Sequence, residues 1–140
     1  MLVDTHCHLA DPAFAADRDA VVERMGAAGV SRAMVIESVT AQLEETLGWA
    51  VRHPGLVVAT GCHPHDAGRW TPELRSRLQA AWQHPLVRAA GEMGLDYHYD
   101  LSPREAQMKG FRNHIAAARE TGLPLVIHTR EAAADTISIL

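Results

Sequence analysis

Residues 3–11 read VDTHCHLAD. A short apolar run, MLVD at residues 1–4, leads into an aspartate, and His6 and His8 follow with a single residue between them. Side chains two apart on a strand point to the same side. One rigid segment can therefore present both imidazoles to one ion. An H-x-H pair alone is a weak signal, but the arrangement returns along the chain. GCHPH at residues 61–65 follows the β-branched run LVVAT at 56–60. Glu92 closes LVRAAGE at 86–92, and His128 closes LPLVIH at 123–128.

Between these runs the pattern is helical. Residues 17–29 (DRDAVVERMGAAG) place Val21, Val22 and Met25 on one face and stop at Gly29. After the apolar strand RAMVIES at 32–38, residues 40–55 predict a helix capped by Thr40, with Leu43, Leu47 and Val51 as its stripe and HPG as its end. Residues 71–85 predict a helix capped by Thr71, with Pro72 in its first turn. Residues 102–122 carry a capping box of Ser102 and Glu105, an apolar face of Met108, Phe111, Ile115 and Ala118, and a closing Gly122. REAAADTISIL at 130–140 opens a further helix.

Repeated βα units imply a parallel sheet with right-handed crossovers. The strands, MLVD included, read as nearly continuous apolar runs, as strands covered on both faces do. An open doubly wound sheet and part of a (β/α)8 barrel both fit this pattern. Five βα units do not close a barrel, which needs about 250 residues. In either architecture the strand C-termini gather on one face, where the site lies. His6, His8, His63, His65, Glu92 and His128 all fall there.

The 140 residues suffice for one domain, 1–140, and 47% hydrophobic content supports a real core. A formal net charge of −4 argues against a large basic nucleic-acid footprint, though metal ions can supply the cations that phosphates need. Cys7 and Cys62 lack C-x-x-C spacing and read as reduced thiols of a cytoplasmic protein. The N-terminus has no signal-peptide pattern, and no apolar run approaches the roughly 18 residues of a membrane span. Of the nine histidines, His53 and His84 precede prolines at helix ends, His114 reads as exposed on the long helix, and His98 follows Glu92 in a loop that could face substrate. Asp4 reads as orienting a histidine or capping the strand, and Glu37 as a cap or ion-pair partner. Imidazoles with a shareable carboxylate suit a hydrolytic metal that activates water and polarises a phosphoryl or carbonyl oxygen.

VDTHCHL, GCHPH, GEMGLDYH at 91–98, Gln107, Phe111 and PLVIHTREA at 124–132 together resemble the TatD-type metal-dependent hydrolases and deoxyribonucleases, in order and spacing, over essentially the whole chain. The resemblance implies a TIM (β/α)8 barrel, here truncated to about five βα units. It implies a 3'-5' exonuclease-like phosphodiesterase with two divalent ions (Zn, Mg or Mn), acting on single-stranded DNA ends. By likeness, His6, His8 and Glu92 would hold one ion, and Glu92 and His128 the second, with Glu92 also the catalytic residue. His63 and His65 would contact the substrate phosphate. Arg130 would lie nearby without an assigned role. The family continues through three further strands that bring another metal-binding histidine and an aspartate that helps activate water. The chain is thus expected to be the N-terminal portion of such an enzyme, with the inner faces of its strands exposed and prone to association.

Two other readings stay open. One is an amidohydrolase-like metallohydrolase acting on a small ester or amide; a carbamylated-lysine site is disfavoured because Glu92 stands where that lysine would be. The other is an inactive fragment that needs a partner chain.

Overall fold

The computed structural model describes residues 1–38 and 42–140. Five strands, β1 (Leu2–Cys7), β2 (Val30–Ser38), β3 (Leu56–Gly61), β4 (Val87–Asp96) and β5 (Leu125–Arg130), alternate with five helices. These are α1 (Arg18–Ala27), α2 (Leu43–Ala50), α3 (Pro72–Ala81), α4 (Arg104–Arg119) and α5 (Ala133–Ile139). The strands form one sheet in the order β1-β2-β3-β4-β5, every neighbouring pair parallel. A doubly wound sheet reverses its strand order at a switch point. This order never reverses, so the sheet is a curled half-barrel and the open-sheet alternative falls.

The register assigns the two faces. Val35 pairs with Val58, and one step on Ile36 pairs with Ala59, which pairs with Ala89. Val35 and Val58 join the main core with Trp49, Leu78, Trp82 and Phe111 under the helices. Ile36, Ala59 and Ala89 form a separate small cluster with Met34 and Val126. Successive side chains alternate faces, so this second cluster is the concave side. It is buried, which corrects the expectation that all inner faces would be bare: the curl brings small residues of neighbouring strands against one another. Close approach also dictates Gly94. Its φ is +142°, and a Cβ there would overlap the carbonyl of His128 on β5.

β1 differs from the buried strand expected. Leu2 and Val3 are 62% and 58% exposed, because β1 pairs only with β2. In α1, Val21, Val22 and Met25 pack half-buried on the core, and Gly29 at φ +83° ends the segment as read. In α2 the expected stripe is displaced. Val51 is exposed, while Leu43, Thr46, Trp49 and Ala50 are buried, since the indole dominates the contact. Thr40 lies outside the described residues. Thr71 caps α3 as expected, its hydroxyl accepting from the Leu74 N–H at 3.2 Å.

The capping box on α4 does not form. Ser102 Oγ donates to the carbonyl of His65 at 2.7 Å and accepts from the Gly68 N–H, so it ties the loop after β3 to α4. Pro103 stands at the N-cap position instead. The buried stripe of α4 is centred on Gln107, Phe111, His114 and Ala118, spaced four, three and four apart. His114, expected to be exposed, is 1% exposed. Its ring lies against Trp70 at 5.1 Å and stacks on Trp82 at 5.6 Å. One polar tip did not stop the helix from burying the imidazole between two indoles.

Burial lowers the His114 pKa to about 3 from an ordinary 6.5. The folded chain thus keeps the ring neutral, whereas the unfolded chain protonates it near 6.5. The associated stability is fully present above pH 6.5 and is lost as pH falls towards 3, by at most about 1.4 kcal/mol per pH unit. Urea denaturation at neutral pH and at about pH 5 is expected to show a smaller acid loss for His114→Phe than for the parent chain. Equal losses would show that His114 does not control this range.

Candidate metal centre

The C-terminal halves of the strands bring the predicted residues into one place, although Glu92 and His128 do not close their strands as read: β4 runs on to Asp96 and β5 to Arg130, because the extended pairing of these neighbours continues past both residues. His6 lies on β1 and His8 just beyond it; their Nε2 atoms are 3.2 Å apart. His6 Nε2 lies 3.6 Å from Glu92 Oε2. The other oxygen of the same carboxylate, Oε1, lies 3.0 Å from His128 Nδ1. His63 Nε2 is 3.3 Å from that Nδ1. Two groups of converging donors result, His6–His8–Glu92 and His63–Glu92–His128, with ligand atoms inside each within 4.8 Å of one another. A cavity of about 440 Å³ opens on them, lined by His8, Glu37, Ser38, His63, Glu92 and His128 among others. The donor set, imidazole nitrogen and carboxylate oxygen, fits a borderline divalent cation such as zinc or manganese.

Asp96 organises the half-buried part. Its side chain is buried at the end of β4, and Oδ2 accepts from His65 Nε2 at 2.9 Å and from His128 Nε2 at 3.0 Å. Oδ1 accepts the backbone N–H groups of His98 and Tyr99 at 3.0 and 2.8 Å. Desolvation pushes this carboxyl up, but the Tyr99 N–H and the two imidazoles outweigh it and hold it well below the usual carboxylate range. An ionised carboxylate only accepts, so both Nε2 atoms carry protons. In the neutral ring His128 Nδ1 then keeps its lone pair, and that atom faces Glu92. Gln107 grips the strand end from α4. Its Oε1 accepts the Asp96 N–H at 2.7 Å, and its Nε2 donates to the Asp96 carbonyl at 3.1 Å and to the Ser102 carbonyl at 2.8 Å.

His63 has a different chemistry. Its Nδ1 accepts the backbone N–H of His65 at 3.2 Å, so in the neutral ring the proton sits on Nε2, the atom that faces His128 Nδ1. Burial, reinforced by the neighbouring His128 and His65, lowers its pKa to about 4. It is a neutral N–H donor at physiological pH.

His53 Nε2 bonds Asp19 at the end of α2, and His84 Nδ1 accepts from the Leu86 N–H, both helix-terminal roles as expected. Asp4 accepts the His6 N–H at 3.0 Å, which fixes the entry to the histidine pair. Glu37 is buried and accepts from Thr46 at 2.9 Å; burial raises its pKa. His98 pairs with Glu131 at 2.8 Å. The cysteines are free, and neither joins a ligand group among the described residues. Burial, with Asp66 nearby, pushes the Cys62 thiol up to about 11, so it stays protonated. Asp96 was missed from the sequence. The signal was available, since it lies in the same strand-to-loop region as the histidine groups, four residues beyond Glu92.

Fold and site together define a class: a half-barrel of parallel βα units with imidazoles and a carboxylate gathered toward the C-terminal side of its strands. The chain belongs to the TatD related DNase family, whose model matches residues 3–140. It is 39% identical to the metal-dependent hydrolase YabD of Bacillus subtilis over 140 residues, covering 100% of this chain and 55% of that protein. It is 39% identical to the 3'-5' ssDNA/RNA exonuclease TatD of Enterobacter lignolyticus over 131 residues, covering 94% of this chain and 50% of that one. The crystal structure of YjjV, a TatD homologue from Escherichia coli, superposes with a TM-score of 0.89 at 28% identity, over 98% of this chain and 54% of that one. The chain thus spans about half the length of the curated relatives it matches. Among the described residues, no helix is long and apolar enough to cross a membrane.

The neutral state of His63 is open to direct measurement. In the metal-free chain its ring C–H NMR signal is expected to titrate near pH 4. A midpoint near the ordinary 6.5 would mean that the ring is hydrated and free of its two histidine neighbours.

Proposed function

We propose that residues 1–140 form one domain, the N-terminal portion of a metal-dependent phosphodiester hydrolase, with 3'-5' exonuclease action on single-stranded nucleic acid, DNA ends in particular. The substrate class follows the relatives named 3'-5' ssDNA/RNA exonuclease. The observation that carries the reading is the division of Glu92, whose two oxygens face different imidazole groups. A carboxylate so placed suits two ions, zinc, magnesium or manganese, one held by His6, His8 and Glu92 and one by Glu92 and His128. When bound, such ions supply Lewis-acid polarisation of the phosphoryl oxygen and an activated water.

The chain's own residues do the rest. Asp96 keeps the His128 proton on Nε2 and so leaves Nδ1 free for a cation. His63 carries its proton on Nε2, 3.3 Å from the His128 Nδ1 lone pair; with a cation on Nδ1 that proton would be left to a phosphate oxygen in the cavity. Its hydrogen bond from the His65 N–H supports this substrate role over ligation, because one neutral ring cannot accept at both nitrogens. His65 donates to the same Asp96 oxygen as His128 and would flank a bound phosphate. A reducing compartment, the cytoplasm, fits the two free thiols.

Calorimetric titration of the chain with Zn²⁺ and Mn²⁺ tests the reading. Saturable binding is expected, lost in His6→Ala and weakened roughly 10- to 100-fold in Asp96→Ala, which removes the support of His128 but no ligand. Metal-dependent release of nucleotides from single-stranded DNA, absent in His6→Ala, would then establish the activity. Binding that both variants leave unchanged would place the metal elsewhere and end the proposal.

A further inference from the structure

We infer that Tyr99 and Arg130 form a nucleotide platform at the rim of the metal centre, the phenol ring stacking on an unpaired base and the guanidinium pairing with the adjacent phosphate. The inference rests on the nucleic-acid reading above and deepens it. Arg130 ends β5 two residues after His128, so its side chain leaves the strand on the same side as that histidine. Its guanidinium carbon lies 4.6 Å from the centroid of the Tyr99 ring. The Tyr99 ring meets His65 edge-to-face at 5.7 Å and His98 at 4.8 Å. Through His65 it adjoins His63 and His128, at ring separations of 4.3 and 6.2 Å.

Three features separate this pair from ordinary packing. Tyr99 is 55% exposed although it is a large aromatic in contact with His65 of the site. Its backbone is nevertheless fixed, because its N–H is held by Asp96. Arg130 is also exposed, and among the described residues its guanidinium makes no ion pair and no hydrogen bond. The nearby acids are engaged elsewhere: Glu131 with His98, Asp135 with Tyr97, Asp100 with Arg104. A cation with free donors over an aromatic ring is equipped for single strands, where stacking is sequence-tolerant and a phosphate follows each base. This also gives a local basic contact to a chain whose net charge is negative.

The test is fluorescence anisotropy of labelled oligothymidylate with the chain in chelator, beside an abasic strand of equal length and oligouridylate. Tyr99→Ala is expected to weaken oligothymidylate binding roughly tenfold and to leave the abasic strand unchanged, while Tyr99→Phe keeps parent affinity. Arg130→Gln is expected to weaken both strands alike and to lower the salt slope by about one. Oligouridylate should respond to Tyr99→Ala as oligothymidylate does, since a stacked base does not report its sugar. Absence of binding by the parent chain, equal binding by Tyr99→Ala, an abasic strand bound as tightly as oligothymidylate, or a response confined to one backbone would each overturn the inference. With chelator present, failure of the metal reading would leave these results unchanged, and failure here would leave the calorimetry standing.

Discussion

Two imidazoles donate to one oxygen of Asp96, and most of the centre's order descends from that contact. A single ionised carboxylate sets the proton positions on His65 and His128, closes the turn through the N–H groups of His98 and Tyr99, and is clamped along its backbone by Gln107. A buried charge is costly unless several donors meet it, and here four do. Helix α4, strand β4 and the loop after β3 therefore cannot shift independently. Ser102 adds a second tie, joining the start of α4 to the His65 carbonyl.

The strand order gives this local network its reach. Because β1 to β5 neighbour one another in chain order, residues more than a hundred positions apart, His6 and His128, face the same carboxylate of Glu92. The two halves differ in setting. His6 and His8 are exposed, while His63, Glu92 and His128 are half-buried. The imidazoles at the end of β1 thus stand in solvent, while burial around His63, just after β3, favours its neutral ring.

Much of this could be read from the residues. Apolar strands ending in histidine or glutamate located the face, and strong local patterns such as Thr71–Pro72 located a helix start. Contacts that cross the sheet were less legible. Ser102 had the spacing of a capping residue, yet its hydroxyl answers the His65 carbonyl, a partner distant in sequence. Val51 matched the stripe of α2, but the bulk of Trp49 turned the helix. His114 read as a surface histidine of the long helix, and its burial follows from the two indoles packed against its ring. Asp96 escaped notice because a carboxylate at a strand end has many ordinary uses, and its role appears only when His65 from the loop after β3 and His128 from β5 arrive at it.

The indoles around His114 have an optical consequence. The chain has three tryptophans. Trp49 is bonded to Asp19 at 2.6 Å on the opposite flank, while Trp70 and Trp82 both touch the His114 ring. Trp82 also donates its indole N–H to the carbonyl of Thr60 on β3 at 2.9 Å. Two of the three natural chromophores thus report on one joint, where the loop after β3 and helix α3 lock onto the helix that carries Gln107. Loosening of that joint, which underlies the histidine cluster, would register in the emission of the unlabelled chain before the sheet itself came apart.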